Sequence, residues 1–294
     1  LLRIRPEHDI AVIETGANHP GEITLLSNIV QADFGLITNV GRAHLEGFGS
    51  FEGVKQTKGE LYDDLYKRGK QIFLNTSDED LVQMAIGRGF VLGKDALPYI
   101  EGVVDAVTPF VEMKWRSANV QPWRTTTTNL VGSYNIANLC AAVTIGLYFG
   151  ITLEQIDHAL STYYPTNSRS ELRVAGSNRL IIDAYNANPS SMAAALTNFS
   201  LMRDRHKMVI LGEMRELGAE SVEEHKKIVE QLQDMELERI WLVGSEFKKV
   251  AEGIRVFDDV EAVKIALKEE PISDMTILIK GSNGTKLHQL PSLF

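Results

Sequence analysis

The sequence has a single cysteine, Cys140, so its 294 residues form no internal disulfide and suit a reducing compartment. It has no apolar run of the ~18 residues that a transmembrane helix needs. Basic residues number 30 against 39 acidic ones, and the net charge of −9 gives nucleic-acid binding little electrostatic support. We therefore expect a cytoplasmic protein with no transmembrane segment and no nucleic-acid partner.

The sequence also lacks a complete phosphate-binding loop of the form G-x-x-x-x-G-K-[S/T]. Its nearest approach is "ILIKGSNGTKLHQLP", in which an apolar run, Ile277–Ile279, leads to Lys280 and a glycine-rich turn. There Thr285 precedes Lys286, and the segment before Pro291 is too short for a helix with much dipole at its amino end. The turn therefore resembles a phosphate loop without having its chemistry.

Apolar runs alternate with helical patterns along most of the chain. Runs typical of strands are "DIAVIE", "FGLITNV" and "QIFLN" in the first half, and "RLIIDAY", "KMVILGE", "RIWLVG" and "MTILIKG" in the second. Such alternation predicts mostly parallel sheets that are covered by helices on both faces. Between residues 90 and 129 the pattern instead predicts antiparallel strands and turns.

The predicted fold class is α/β with two domains, because single cores rarely exceed ~250 residues. We expect a central domain, 1–174, with a mostly parallel sheet and a small antiparallel β insertion, followed by a doubly wound, Rossmann-like C-terminal domain, 175–294. In the latter, "SVEEHKKIVEQLQDM" predicts a helix that begins with a capping box of Ser221 and Glu224. The chain has no initiator methionine and enters an apolar run within ten residues, so we expect an upstream portion to be missing.

Ligands of open α/β sheets bind beyond the carboxyl ends of strands, so polar residues that follow apolar runs are candidates. Glu14 follows "AVI" beside a turn at Gly16, where its carboxylate suits either magnesium or the capping of a turn or helix. His44 follows "LITNVGRA" and precedes Gly47 and Gly49. A structural role and a metal-binding role both stay open for this histidine, because magnesium prefers oxygen ligands.

Lys58 lies on an apolar stripe in the helical pattern of "FEGVKQTKGELYDDLY", whereas Lys55 does not. The members of the stripe are Phe51, Val54, Lys58, Leu61 and Leu65. Burial of a lysine lowers its pKa and leaves a neutral amine, which can react with carbon dioxide to give a metal-binding carbamate. The alternative is that the long stem carries the ammonium to the surface.

Two asparagines open a helix that is expected from Gly132 to about Phe149. Asn135 and Asn138 are three residues apart, so we expect their amides to share a face and to read the edge of a base. Helix capping would explain one of the two asparagines but not both.

Polar residues cluster after the run "RLIID". They are Asp183, Tyr185, Asn186 and Asn188. Asn188 followed by Pro189 predicts the start of the next helix, with the asparagine as its cap. Upstream, Arg169 precedes the expected domain boundary, where a guanidinium can reach phosphate or ribose.

Several of these stretches, in this order, resemble the Mur ligases, which are ATP-dependent amide-forming enzymes. The matching stretches are "ETGANHPGEI", "TNVGRAHLEGFGS", "TKGEL", "GSYNIANLCAA", "DAYNANPSSM", "LGEMRELG" and "KGSNG". Of these, "GANHPGEI" and "YNANP" are similar to the branch of the family that adds a dipeptide. The resemblance covers essentially the whole chain, as the central and C-terminal domains of the family.

The resemblance implies a role for each candidate residue. Those that match ligands of two magnesium ions are Glu14, His44 and, once carbamylated, Lys58, and of these His44 and Lys58 are the expected catalytic residues. Those that match ATP contacts are Asn135, Asn138, Arg169 and Asp183. Those expected to contact the substrates are Tyr185, Asn186, Asn188, Lys280 and Ser282.

The resemblance also implies the chemistry. The expected partners are ATP, magnesium, a UDP-linked muramoyl tripeptide and D-alanyl-D-alanine, which a monomeric enzyme joins through an acyl phosphate. The phosphate loop and the UDP-binding domain of the family have no counterpart in this sequence, so we expect the chain alone to be inactive. A smaller departure is "KLHQL" with His288, where the family often has an acidic residue after its KGS loop.

Two other functions stay open at this point. Another amino-acid-adding ligase of the superfamily, such as a different Mur ligase or a folylpolyglutamate synthase, is disfavoured by "YNANP". A non-catalytic scaffold is disfavoured because Glu14, His44 and Lys58 are all retained.

Overall fold

A computed structural model describes residues 4–41, 45–107, 110–117, 120–165 and 171–294 of the chain. The chain folds as two compact units, residues 1–100 and 101–294. This division differs from the expected domain boundary near residue 174, because the antiparallel strands before that point pack in the same unit as the strands after it. The boundary near 174 stays a prediction.

The first unit is built on a short parallel sheet with the strand order β1-β2-β3. Its strands are β1 (Phe34–Gly35), β2 (Gln71–Leu74) and β3 (Ala96–Pro98). Its helices are α1 (Glu22–Val30), α2 (Leu45–Phe48), α3 (Phe51–Lys67) and α4 (Glu79–Ile86). Tyr62 and Leu65 of α3 pack with Ile72 and Leu74 of β2 and with Leu81 of α4 in one apolar core.

The prediction of a strand in "DIAVIE" is wrong, because residues 9–14 run as irregular chain and Val12 is 90% exposed. The strand expected in "FGLITNV" is limited to β1, which pairs with Gln71 and Ile72 of β2. An apolar run becomes a strand only where a neighbouring strand takes its backbone hydrogen bonds. Within the described part of the chain no strand pairs with residues 9–14. The run "QIFLN" is confirmed as β2.

Helix α3 begins at a cap, where the Ser50 hydroxyl accepts a hydrogen bond from the Gly53 N–H at 3.1 Å. The buried members of the helix are Val54, Thr57, Gly59, Tyr62 and Leu65. The expected stripe is therefore only partly right, and Lys58 is half-buried. Burial spreads beyond one stripe because α3 packs against α1 as well as against the sheet.

Glu60 of α3 caps the amino end of α1, a contact that sequence reasoning missed. Its carboxylate accepts hydrogen bonds from the Gly21 N–H at 2.7 Å, the Thr24 N–H at 2.8 Å and the Thr24 hydroxyl at 2.9 Å. Gly21, the residue at the N-cap position, has no side chain to do this and has φ 87°. A carboxylate at a helix amino end also complements the helix dipole.

The second unit opens with an antiparallel sheet of order β4-β5-β6, which confirms the expected insertion. Its strands are β4 (Glu101–Val107), β5 (Phe110–Ser117) and β6 (Val120–Val131). Two helices follow, α5 (Ile136–Tyr148) and α6 (Leu153–Thr162). The helix expected from Gly132 to Phe149 is confirmed apart from its first turn, Ser133–Asn135, which is a 3-10 turn. Gly150, with φ 76°, ends it.

The remainder of the second unit forms the C-terminal sheet, with the strand order β11-β10-β9-β12-β8-β7. Its strands are β7 (Glu171–Ala175), β8 (Asn178–Asp183), β9 (Lys207–Gly212), β10 (Arg239–Val243), β11 (Arg255–Phe257) and β12 (Thr276–Lys280). Its helices are α7 (Pro189–Leu201), α8 (Ser221–Gln233), α9 (Ser245–Lys248) and α10 (Val260–Glu269). All neighbours pair in parallel except β7 and β8. This confirms the doubly wound prediction.

The two helix starts that were predicted in this sheet have different outcomes. Asn188 caps α7, with its side chain accepting the Ser191 N–H at 2.9 Å, as expected. The capping box of Ser221 and Glu224 is wrong. A 3-10 turn runs directly into α8, so the backbone at Glu220 is already helical. The Ser221 hydroxyl is then left to bond Glu246 at 2.6 Å.

Helices in the described residues are of ordinary length for a globular protein. The helix α3 has 17 residues, and none of the described helices combines the length and the apolarity needed to cross a bilayer.

The cap that Glu60 supplies can be tested by Glu60→Gln. The amide loses most of the acceptor capacity that meets α1, so we expect the free energy of unfolding to fall by about 1 kcal/mol. Chemical denaturation measures this fall, and amide exchange at Gly21 and Thr24 should accelerate. Glu46→Gln, on the exposed surface of α2, is the matched control and should change neither. Equal effects of the two substitutions would contradict the cap.

Candidate functional site

The loop that carries Glu14 is shaped by a carboxylate at its far end. Glu22 accepts hydrogen bonds from the Asn18 N–H at 2.7 Å and the His19 N–H at 3.1 Å. These backbone contacts lower the pKa of Glu22. Glu14 itself is exposed and follows irregular chain, so the expectation that it ends a strand is wrong. Its role as a magnesium ligand stays a prediction.

Two lysines of α3 have opposite environments. The Lys58 ammonium donates a hydrogen bond to the Asn39 carbonyl at 2.8 Å, and burial lowers the pKa of Lys58. Lys55 instead forms an ion pair with Asp80 at 2.5 Å, and that hydrogen bond raises the pKa of Lys55. Of the two, Lys58 is therefore the amine that loses its proton more readily.

A metal centre was expected around Glu14, His44 and Lys58. His44 lies outside the described residues, as does Arg169. Among the residues that the structure describes, no three or more histidine, cysteine, aspartate or glutamate side chains are grouped as metal ligands. The metal-binding roles of Glu14 and of a carbamylated Lys58, which would supply the oxygen ligands that magnesium prefers, stay predictions.

The two asparagines at the start of α5 differ in exposure. Asn135 is buried, and its amide nitrogen donates to the carbonyls of Val131 at 3.0 Å and Gly132 at 3.3 Å. Asn138 is exposed. Asn135 ends the 3-10 turn that precedes α5, and its amide is used in closing that turn, whereas Asn138 lies within the helix. Their roles beside adenine stay predictions.

Asp183 and Lys280 form a buried ion pair at the carboxyl edge, where the parallel strands of the C-terminal sheet end. They are register partners on β8 and β12, and the Lys280 ammonium donates to the Asp183 carboxylate at 2.6 Å and to the Asn186 carbonyl at 3.3 Å. Lys280 is 1% exposed. The pair joins a residue expected to contact ATP with one expected to contact the acceptor substrate.

The other expected substrate contacts surround this pair. Tyr185 and Asn186 are exposed on the turn after β8, whereas Asn188 is engaged as the cap of α7. Ser282 is buried, and its hydroxyl donates to the Glu213 carbonyl at 2.9 Å. The structure thus brings these residues to one edge, and their contacts with substrate stay predictions.

Glycines let the strand ends approach closely at this edge. A β-carbon on Gly212 would lie 2.5 Å from the Thr285 hydroxyl, and one on Gly281 would lie 2.7 Å from the same atom. A β-carbon on Gly244, where φ is 116°, would lie 2.3 Å from the Glu213 carboxylate. A β-carbon on Gly281 would also lie 3.0 Å from the Gly212 backbone, so β9 and β12 could not stay as close at their carboxyl ends. The β-carbon on Gly244 would instead meet the Glu213 side chain.

Two protein-family models match the sequence. The Mur ligase middle domain matches residues 1–146, and the Mur ligase glutamate ligase domain matches residues 168–283. The chain belongs to the Mur ligase family.

Individual relatives are similar over nearly the whole of this Mur ligase chain. It is 31% identical over 99% of its length to UDP-N-acetylmuramoyl-tripeptide–D-alanyl-D-alanine ligase of Escherichia coli, and spans 66% of that protein. It is 32% identical over 97% of its length to the enzyme of the same name from Bacillus subtilis, and spans 64% of it. The crystal structure of MurF from Acinetobacter baumannii aligns over 98% of this chain and 65% of its own, with TM-score 0.82 and 28% identity. The chain thus spans less than two thirds of each relative.

Sequence reasoning missed a histidine that organises this edge of the Mur ligase chain. His225 is fully buried, its Nε2 accepts the Met214 N–H at 3.0 Å, and its Nδ1–H donates to the Ser221 carbonyl at 2.7 Å. Burial lowers the pKa of His225, so the ring is neutral with its proton on Nδ1. The available signal was its spacing with Ile228, Val229 and Leu232 on the apolar face of α8.

Glu213 is a polar residue that follows the apolar run of β9, and it joins the ends of three strands. Its N–H donates to the Val243 carbonyl at 2.9 Å, its carbonyl accepts the Ser282 hydroxyl, and its carboxylate accepts the Glu246 N–H at 3.2 Å. The stretch "LGEMRELG" marked the loop but not these partners, because they belong to other strands.

The ion pair can be tested by Lys280→Met. Removal of one partner leaves a buried carboxylate unpaired, so we expect a loss of about 3–5 kcal/mol in the free energy of unfolding. The double variant with Asp183→Asn should lose less than the sum of the single effects in urea denaturation. The control is Arg179→Met, which removes a half-exposed partner of Asp204 at the opposite end of β8 and should cost less, about 1 kcal/mol. Additive losses in the double variant would contradict the pairing.

Proposed function

We propose that the protein containing this chain is the dipeptide-adding Mur ligase, an ATP-dependent enzyme that joins D-alanyl-D-alanine to UDP-N-acetylmuramoyl-tripeptide in peptidoglycan precursor synthesis. The observation that carries the proposal is the 31–32% identity, over 97–99% of the chain, to two ligases of that name. The sequence stretches "YNANP" and "GANHPGEI" support the same branch of the family. We further propose that the protein is cytoplasmic and monomeric.

The proposed reaction makes an amide from a carboxylate, which is a poor electrophile. The terminal carboxylate of the tripeptide attacks the γ-phosphorus of ATP. This gives an acyl phosphate and releases ADP. The amine of the dipeptide then attacks the acyl carbon, phosphate departs, and the amine gives up a proton as the amide forms. Bound magnesium supplies neutralisation of the anions that would otherwise repel one another.

Each proposed role is assigned to residues of this chain. The proposed magnesium ligands are Glu14, His44 and a carbamylated Lys58. The proposed ATP contacts are Asn135, Asn138, Arg169 and Asp183. Of the proposed substrate contacts, Tyr185 and Asn186 are exposed at the carboxyl edge, and Ser282 supports the loop through Glu213. The pairing of Lys280 with Asp183 supports a positioning role for this lysine, which orients the aspartate.

The environment of Lys58 supports the proposal that this lysine is carbamylated. The neutral amine attacks the carbon of carbon dioxide, a carbon–nitrogen bond forms, and one proton passes to water. The product is a carboxylate on a long stem, which gives magnesium the oxygen ligand that an amine lacks. The lowered pKa of Lys58 makes this reaction available nearer neutral pH than it is for Lys55.

The ligase function is tested with the natively encoded protein, ATP, magnesium, UDP-N-acetylmuramoyl-tripeptide and D-alanyl-D-alanine. We expect release of phosphate and the appearance of the UDP-linked pentapeptide by mass spectrometry. Single amino acids, glutamate among them, should give little product as acceptors. That result would distinguish this function from that of other Mur ligases and of folylpolyglutamate synthases. The 294-residue chain alone should release no phosphate, because its sequence has no phosphate loop. Turnover only with another acceptor would reject the proposal.

The carbamate is tested by carbon-13 NMR of the protein in labelled bicarbonate. We expect one slowly exchanging carbamate signal, lost in Lys58→Arg and kept in the control Lys55→Arg on the same helix. The signal should grow as pH rises through the lowered pKa of Lys58, since only the neutral amine reacts. Between the lowered pKa of Lys58 in the folded protein and the ordinary lysine pKa, the unfolded chain binds more protons than the folded chain. The free energy of unfolding should therefore rise with pH over that range. A signal that survives Lys58→Arg would assign the carbamate elsewhere.

A further inference from the structure

We propose that Arg215, on the loop between β9 and α8, binds the terminal carboxylate of the acceptor dipeptide. The inference rests on the proposed function, in which the acceptor has an amine at one end and a carboxylate at the other. A free carboxylate requires a cation or several N–H donors at its site, and arginine provides both in one planar group. The carboxylate therefore needs a cation at the carboxyl edge that is exposed and not already paired with a buried partner.

Lys280 is not available for that contact. Its side chain is 1% exposed, and its ammonium already pairs with the Asp183 carboxylate at 2.6 Å. A second carboxylate would have to displace Asp183 and enter the core between β8 and β12. Arg215 has the opposite setting, because its side chain is 56% exposed.

The Arg215 guanidinium rests on bare backbone. A β-carbon on Gly284 would lie 2.3 to 2.9 Å from its guanidinium atoms, so only glycine leaves room for the group there. The Glu213 carboxylate forms a long ion pair with the group, 3.9 Å from the Arg215 Nε. That separation is too long for a hydrogen bond, and among the described residues the guanidinium makes none. Its N–H donors are therefore free to meet a carboxylate.

The backbone that leads into Arg215 is held by two hydrogen bonds. The Met214 N–H donates to the buried His225 ring, and the Glu213 carbonyl accepts the Ser282 hydroxyl. After Arg215, Glu216 adopts the left-handed conformation with φ 62°. A guanidinium on a fixed loop loses less conformational freedom when it binds than one on a mobile loop.

A second exposed cation lies close in sequence to Gly284, the residue against which the Arg215 guanidinium rests. Lys286 is exposed and has φ 56°, two residues beyond Gly284. A lysine there offers a point charge, whereas the arginine offers the paired donors that match the two oxygens of a carboxylate. Lys286 is therefore the matched comparison for a charge-only explanation.

The test compares two acceptors in the natively encoded protein, D-alanyl-D-alanine and its C-terminal amide, which lacks the carboxylate. In the unmodified protein the amide should raise the acceptor KM about 10- to 100-fold. In Arg215→Gln the KM for the acid should rise by a similar factor, and the acid and amide should become equivalent within about twofold. The kcat and the KM for ATP should change little. Arg215→Lys should restore part of the preference for the acid, and Lys286→Gln should keep all of it.

The possible outcomes separate the role of Arg215 from the proposed ligase function. Ligation by Arg215→Gln with an undiminished preference for the acid would overturn the role of Arg215 and leave the ligase function standing. Loss of the preference in Lys286→Gln instead would move the carboxylate site to that lysine. No ligation of D-alanyl-D-alanine by the unmodified protein would reject the proposed function, and the inference with it. As a second variant, Gly284→Ala should displace the guanidinium and lower the preference for the acid while Arg215 is still present.

Discussion

The buried ion pair of Asp183 and Lys280 is the interaction on which the arrangement of the carboxyl edge depends. The strands β9 and β12 are buried along their whole length, so their polar chemistry is confined to their ends. Parallel register places the end of β8 beside the end of β12, and the charges of the two residues then satisfy each other. Burial makes either charge costly without the other. The pair therefore constrains where any ligand group can approach.

Around that pair, the loops of neighbouring strands are joined by single hydrogen bonds between residues far apart in sequence. Glu213 links β9 to β10 and β12, and His225 ties the same loop to α8. The neutral ring of His225 serves as acceptor and donor at once, which a charged ring does not do. The consequence is a rigid loop with one outward cation, Arg215. Rigid presentation of a few polar groups is what a site for a small charged substrate requires.

The first unit shows how two similar residues acquire different chemistry. Lys55 and Lys58 lie less than one turn apart on α3, yet Asp80 keeps the first protonated and burial favours deprotonation of the second. On the same helix, Glu60 reaches α1 and closes its amino end, next to the loop that carries Glu14. Because side chains of α3 contact both α1 and α4 in this way, they restrict the loops next to those two helices.

The sequence by itself determined the α/β class, the antiparallel insertion, four of the six strands of the C-terminal sheet and the cap at Asn188, because apolar period and capping chemistry act over a few residues. Its motifs also determined the Mur ligase family. It failed at residues 9–14, whose apolar run has no pairing strand within the described residues, and at Ser221, whose hydroxyl serves another loop. Only the tertiary structure decided that Lys280 meets Asp183, 97 residues away, and that Arg215 stays exposed. Contacts at such separation depend on strand register and strand order, which local composition does not encode.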